Sequence, residues 1–128
     1  MDVRDAVEAD AEQLAELTGS PQDVMRNLVH DRTVRVAETD DGVRGFVSYD
    51  ARAETVHVTQ LEGEAEVYDD LLAEPVRFAR SEGMSVELLA PDDEGDTQNA
   101  ADAAGFDRVG NGPYFDGEST TRYRLEEP

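Results

Sequence analysis

The chain has 128 residues and a formal net charge of −20, from 31 acidic against 11 basic residues, and every basic residue is an arginine. That length suits one domain with a single sheet covered by helices, and the absence of cysteine excludes disulfides, a thiolate nucleophile and a cysteine-based zinc site. The arginines are scattered along the sequence, which argues against a nucleic-acid partner, because phosphates call for clustered cations. The acidic surplus is spread over every segment, as expected for a halophile's protein, since molar salt shortens the screening length to about 3 Å. An acidic surface made for one particular cationic partner is the rival reading. The polar start Met1-Asp2-Val3-Arg4-Asp5 does not read as a signal peptide, and no apolar run approaches about 18 residues. The expectation is a cytoplasmic protein with no membrane partner.

In chain order, residues 3–6 read as a brief strand and residues 10–18 as a helix with Ala11, Leu14 and Leu17 on one face. Asp10 is placed to cap it with Gln13 three residues on, and Gly19 to stop it. Ser20-Pro21-Gln22-Asp23 is a second helix start, with Val24, Leu28 and Val29 as the apolar side that follows. Val34 and Val36 alternate in a strand that Asp40-Asp41-Gly42 turns into another over residues 43–49, and a turn at residues 50–53 leads to a third at residues 56–61. His57 on that strand is either a general base or a packed sheet histidine.

An acidic turn follows, and then a helix that ends at Gly83 with Val67, Leu71, Leu72, Val76 and Ala79 on one side. Pro75 inside it removes the bond to the Leu71 carbonyl, so the reading is a kink there or a helix restarting at Glu74-Pro75. Val86, Leu88 and Ala90 form a strand parallel to the one ending at Leu61, because a helix crosses between them. The acidic loop 92–96 lacks the spacing of a calcium loop and is expected to face solvent, with no metal in prospect. A helix over residues 97–104, a strand over 106–110, a turn at Asn111-Gly112-Pro113 and a last strand over 120–125 complete the chain.

Leu71-Leu72 with the closing Ala79-Arg80-Ser81-Glu82-Gly83, and the Gly105-Phe106 that ends the later helix, resemble the corresponding helices of the GNAT superfamily of N-acetyltransferases. The opening strand and helix are similar to that family as well. The resemblance implies an α/β fold: a mixed, mostly antiparallel sheet of six or seven strands with one central parallel pair, flanked by about four helices. It also implies acetyl transfer from acetyl-coenzyme A to a small-molecule or peptide amine. The run Gly63-Glu64-Ala65-Glu66-Val67-Tyr68 stands where the family keeps its glycine-rich coenzyme loop, with Glu66 and Tyr68 in place of the inner glycines. Ala101 stands where the family keeps its proton-donating tyrosine.

What the resemblance then assigns is Glu62 as base, Tyr114 as substitute acid, and Leu61, Gly63, Ala65, Val67, Tyr68, Asp69 and Asn99 around the coenzyme. Tyr114 and Phe115 packed on the sheet edge is the bland alternative for that tyrosine. The alternative function is a GNAT-fold module that binds a ligand or a protein without catalysis. A further reading has Thr120–Leu125 as an edge strand pairing with a second copy into a homodimer.

Overall fold

The computed structural model of the chain describes residues 1–114, 117–126 and 128. The elements are β1 (Asp2–Asp5), a 3-10 turn (Glu8–Asp10), α1 (Ala11–Thr18), α2 (Gln22–Asp31), β2 (Thr33–Thr39), β3 (Gly42–Arg52) and β4 (Thr55–Gly63). A second 3-10 turn (Ala65–Val67) opens into α3 (Tyr68–Glu82), followed by β5 (Ser85–Pro91), α4 (Gly95–Ala103), β6 (Asp107–Asn111) and β7 (Thr120–Leu125). The strands form one sheet in the order β1-β2-β3-β4-β5-β7-β6, antiparallel except for the central pair β4 and β5. The mixed sheet with one parallel pair and four α-helices is the architecture expected.

Each face of the sheet has its own core. On one face the second 3-10 turn, α3 and α4 bury Val67, Leu71, Leu72, Ala79, Ala100 and Ala101 against β4, β5 and β7. On the other, α1 and α2 bury Ala11, Leu14 and Met25 against Val34, Val36, Val43 and Phe46 of β2 and β3. The second pair of helices packs on β2, β3 and part of β4, so the stretch of that face carrying His57, Gln60, Glu87 and Leu89 opens onto a hollow.

Local structure departs from the sequence reading at several points. Asp10 does not cap α1: it has helical backbone angles, and its carboxylate turns back to accept the Val7 N–H at 2.8 Å and both Arg4 guanidinium nitrogens at 2.9 Å. Arg4 also holds Glu38, so this cluster, with Asp10 buried and Arg4 and Glu38 half-buried, ties β1, β2 and the start of α1 together. Gln13, freed from capping, accepts the Val43 N–H at 2.8 Å and fixes α1 to β3. In α2 the buried residue is Met25 whereas Val24 is exposed, and Ser20 makes no cap.

Pro75 neither ends nor restarts α3, which runs unbroken from Tyr68 to Glu82. The ring is fully buried beside Leu71, Leu72 and Ala79. Packing of that whole apolar face outweighs the roughly 3 kcal/mol that an interior proline costs. The edge-strand expectation is also corrected: β7 is hydrogen-bonded on both sides, to β5 and to β6, and the edges are β1 and β6. A second copy therefore has no open β7 edge to pair with.

Candidate active site

The site begins with one extra residue in β4. His57 pairs with Asp50 and Val58 with Tyr49, but Gln60, not Thr59, pairs with Ser48, so Thr59 is a bulge. Its hydroxyl closes the local gap, donating to the Ser48 carbonyl at 3.1 Å and lying 2.6 Å from the Ser48 hydroxyl. Side chains alternate along a strand, so a one-residue insertion exchanges the faces beyond it. Gln60 and Glu62 thereby join His57 on the open face, while Leu61 turns to the α3 core with Val58.

The bulge also separates the strands. β4 pairs with β5 only from Thr55/Ser85 to Val58/Leu88, yet both continue, β4 to Gly63 and β5 to Pro91. The backbone of residues 60–62 keeps its β3 partners, and among the described residues no strand pairs with the other side of residues 59–62. A cleft of about 460 Å³ fills the divergence, walled by Arg52 at the end of β3, residues 57–62 of β4, Glu87, Leu89 and Pro91 of β5, Glu94 and Thr97 at and just inside the start of α4, and Thr120 of β7.

Among the carboxylates here, Glu62 stands apart. Other carboxylates with little exposure are held by guanidinium groups: Asp10 by Arg4, Asp50 by Arg32, Glu74 by Arg77, and Glu87 by both Arg122 and Arg124. Half-buried Glu62 has no cation within 4.0 Å among the described residues; Gln60 Nε2 donates to it at 3.1 Å. Burial, and secondarily the Glu94 carboxylate, push the Glu62 carboxyl above its ordinary value, against the opposing hydrogen bond from Gln60. Glu94 is raised in the same way, by burial and then by Asp93. A carboxylate of raised affinity for protons, open to a cleft, is suited to take a proton from an ammonium or amine.

The loop after β4 is built differently. Gly63 has φ +124°, and a Cβ there would meet the Arg44 carbonyl and Gly45 Cα at 2.4 Å, so glycine is needed for the strand to end against β3. The Glu64 N–H donates to the Arg44 carbonyl at 3.0 Å, the Val67 N–H to the Glu64 carbonyl at 3.1 Å, and the Tyr68 N–H to the Ala65 carbonyl. Of amides 64 to 68, only those of Ala65 and Glu66 are left. The Tyr68 ring is buried under the turn with its hydroxyl donating to the Gly63 carbonyl at 3.3 Å. Glu64, Glu66, Asp69 and Asp70 are exposed around this turn.

Of the residues named from sequence, Glu62, Leu61 and His57 line the cleft. The side chains of Leu61, Val67 and Tyr68 are in the core, whereas Gly63 at the end of β4, Ala65 on the turn and Asp69 in the first turn of α3 are exposed. Asn99 is exposed on α4, beside a separate hollow shared with Tyr68 and residues 93–97. Tyr114 is 76% exposed and is not among the residues lining the cleft. The packing of Tyr114 with Phe115 concerns a residue outside those described. The acidic loop 92–96 is exposed throughout, as expected, and Asp92 accepts hydrogen bonds from Ser119 at 2.5 Å and Thr121 at 2.7 Å that anchor it to the β7 end, while Glu94 lines the cleft with Glu62. Glu94 and Thr97 are site residues that the sequence reading missed, because proximity across the cleft has no local signature.

No family model matches the sequence, and no curated protein matches it. Solved structures do match its fold over nearly the whole chain. The structure of a GNAT-family acetyltransferase from Desulfovibrio desulfuricans superposes with a TM-score of 0.77 at 22% identity, covering 99% of both chains. The Salmonella typhimurium yncA protein, with its cofactor acetyl-CoA, gives 0.82 at 17% identity over 100% of this chain and 94% of its own. The ribosomal-protein-alanine N-acetyltransferase of Brucella melitensis gives 0.81 at 17% identity over 98% and 99%. The chain therefore has the GNAT fold.

Proposed function

We propose that the chain is an N-acyltransferase of a salt-rich cytoplasm, moving an acetyl group from a thioester such as acetyl-coenzyme A to an amine. The observation that carries this reading is Glu62, a half-buried carboxylate without a cationic partner, set in the cleft where β4 and β5 part. The thioester arm enters the cleft along the free edge of residues 59–62, whose backbone groups can pair with an extended, amide-bearing ligand as a strand would. The amine approaches over the open sheet face past His57 and Gln60. Glu62 takes the proton that the amine nitrogen loses as it bonds to the acyl carbon. The carbon–sulfur bond then breaks, and the thiolate leaves toward solvent, where water can protonate it.

Three features support the reading: the fold shared with acetyltransferases, the carboxylate with a raised proton affinity, and the strand edge beside it. The test is thiol release from acetyl-coenzyme A in molar KCl across a panel of small-molecule and peptide amines. The wild-type chain is expected to turn over with at least one of them, and Glu62→Gln to lower kcat by about 10²–10⁴-fold. Tyr114→Phe, outside the cleft, is expected to change kcat less than about twofold, within the scatter of surface substitutions. No turnover on any amine would favour a module that only binds, and full activity in Glu62→Gln would remove Glu62 from the chemistry.

A further inference from the structure

We infer that this chain grips its acyl donor by the neutral thioester arm alone and leaves the donor's phosphates in solvent, so that a phosphate-free thioester serves it as well as acetyl-coenzyme A. The inference rests on the transferase reading and concerns which part of the donor is recognised. Coenzyme A carries a diphosphate and a further phosphate, and holding such groups requires amide donors, cations, or both. The turn at residues 63–69 supplies neither in quantity. Three of its five amides from 64 to 68 are engaged within the protein, which leaves Ala65 and Glu66. Glu64, Glu66, Asp69 and Asp70 surround these two on the loop side, and Asp93, Glu94 and Asp96 surround the adjoining hollow beneath Tyr68.

Nor does the turn have a cation to spare: Arg52, the arginine that lines the cleft, pairs with Thr55 at the opposite end of β4 from Gly63. Arg44 is the basic residue beside the turn, and its guanidinium already spans Asp41 at 2.8 Å and Glu64 at 3.2 Å. Ten of the eleven arginines lie within 4.0 Å of a carboxylate among the described residues. The eleventh, Arg80, sits near the C-terminal end of α3, twelve residues and so about 18 Å along the axis from Tyr68. Molar salt weakens the repulsion between these carboxylates and a phosphate, but it adds no donor. What the structure does offer lies on the other side of the turn: an unpaired strand edge at residues 59–62 and a cleft of about 460 Å³ with Leu61, Leu89 and Pro91 among its walls. Those groups suit an uncharged chain of amides and methylenes that ends in a thioester.

The experiment compares acetyl-coenzyme A with acetyl-pantetheine, which keeps the arm and lacks all phosphates, as donors in molar KCl. The expected result is kcat/KM values within about threefold of each other, a difference below 1 kcal/mol. A preference for acetyl-coenzyme A above about tenfold overturns the inference and leaves the transferase reading standing. Failure of both donors overturns the transferase reading, and this inference with it. A second arm uses Glu66→Arg, an exposed substitution beside a free amide. It is expected to raise kcat/KM for acetyl-coenzyme A by up to about tenfold, the worth of one new charge-assisted contact, and to leave acetyl-pantetheine unchanged. An equal effect of Glu66→Arg on both donors also counts against the inference, because the phosphates would then not be what the new cation meets.

Discussion

A carboxylate such as Glu62 is a burden to the folded state if it ionises there. Its proton affinity is raised by burial and by Glu94, so the native chain holds that proton more tightly than the unfolded chain, whose glutamates lose theirs near 4.5. The resulting contribution to stability is complete below about 4.5 and disappears as pH rises through the higher native value. On the proposed role of Glu62 as base, which requires it ionised, activity runs the other way: kcat/KM is expected to rise with pH through that same native value. Glu62→Gln should therefore raise the melting temperature at pH 8, leave it nearly unchanged at pH 4, and lose the acidic limb of the rate profile. Thermal scans at the two pH values, paired with a pH–rate profile, check this, and a variant less stable than wild type at pH 8 would refute the argument. The sequence carried a readable sign of this geometry in the spacing Val56, Val58, Leu61, where an interval of two becomes an interval of three and marks the bulge. Glu94 gave no such sign, since its role depends on where the turn after β5 places α4 relative to β4.

The elements around the site are positioned by backbone contacts as much as by side chains. Gly63 ends β4 with its Cα against Gly45 of β3, and Gly45 in turn leaves room for Val67 and Leu71, whose atoms a Cβ would meet at 2.9 and 3.2 Å. This paired absence of side chains lets α3 start directly beneath the end of the strand. Gly63→Ala adds a methyl group 2.4 Å from backbone atoms at a φ of +124°, so the cost cannot be relieved by a rotamer change. A loss of about 3 kcal/mol is expected, from positive-φ strain together with overpacking. Gly117→Ala, at φ +81° with no atom within 4 Å of the added Cβ, serves as the control, expected to cost about 1 kcal/mol from backbone strain alone. Equal denaturation midpoints for the two variants would show that the Gly63 contact does not matter. The order of elements was legible because hydrophobic period and turn residues change together at each boundary. The pairing of β7 inside β6 was not inferred, although the run Asp107-Arg108-Val109-Gly110-Asn111, short, exposed throughout and carrying two charges, has the character of a protected edge.

At the scale of the whole molecule, we propose that charge sets the conditions under which the fold is stable. Ten arginines are bound up in local ion pairs, most of them exposed, and such pairs contribute little individually. The formal charge of −20 remains as a general repulsion over a surface of 6995 Å². The screening length falls from about 10 Å at 0.1 M salt to about 3 Å at 1 M, a change from reaching across neighbouring elements to reaching barely beyond contact. The melting temperature is therefore expected to drop steeply as KCl is lowered from molar to millimolar, with unfolding at the low end. Salt also acts on hydration and apolar burial, so the decisive comparison uses a variant with fewer charges and the same core. Glu16→Gln, Asp40→Asn and Glu82→Gln together remove three exposed carboxylates for which no cation lies within 4.0 Å among the described residues. If repulsion sets the salt requirement, the triple variant stays folded to lower KCl than wild type, and its gain in melting temperature shrinks toward zero in molar salt. Parallel curves, with the same dependence on KCl for both chains, would assign the requirement to hydration instead of charge.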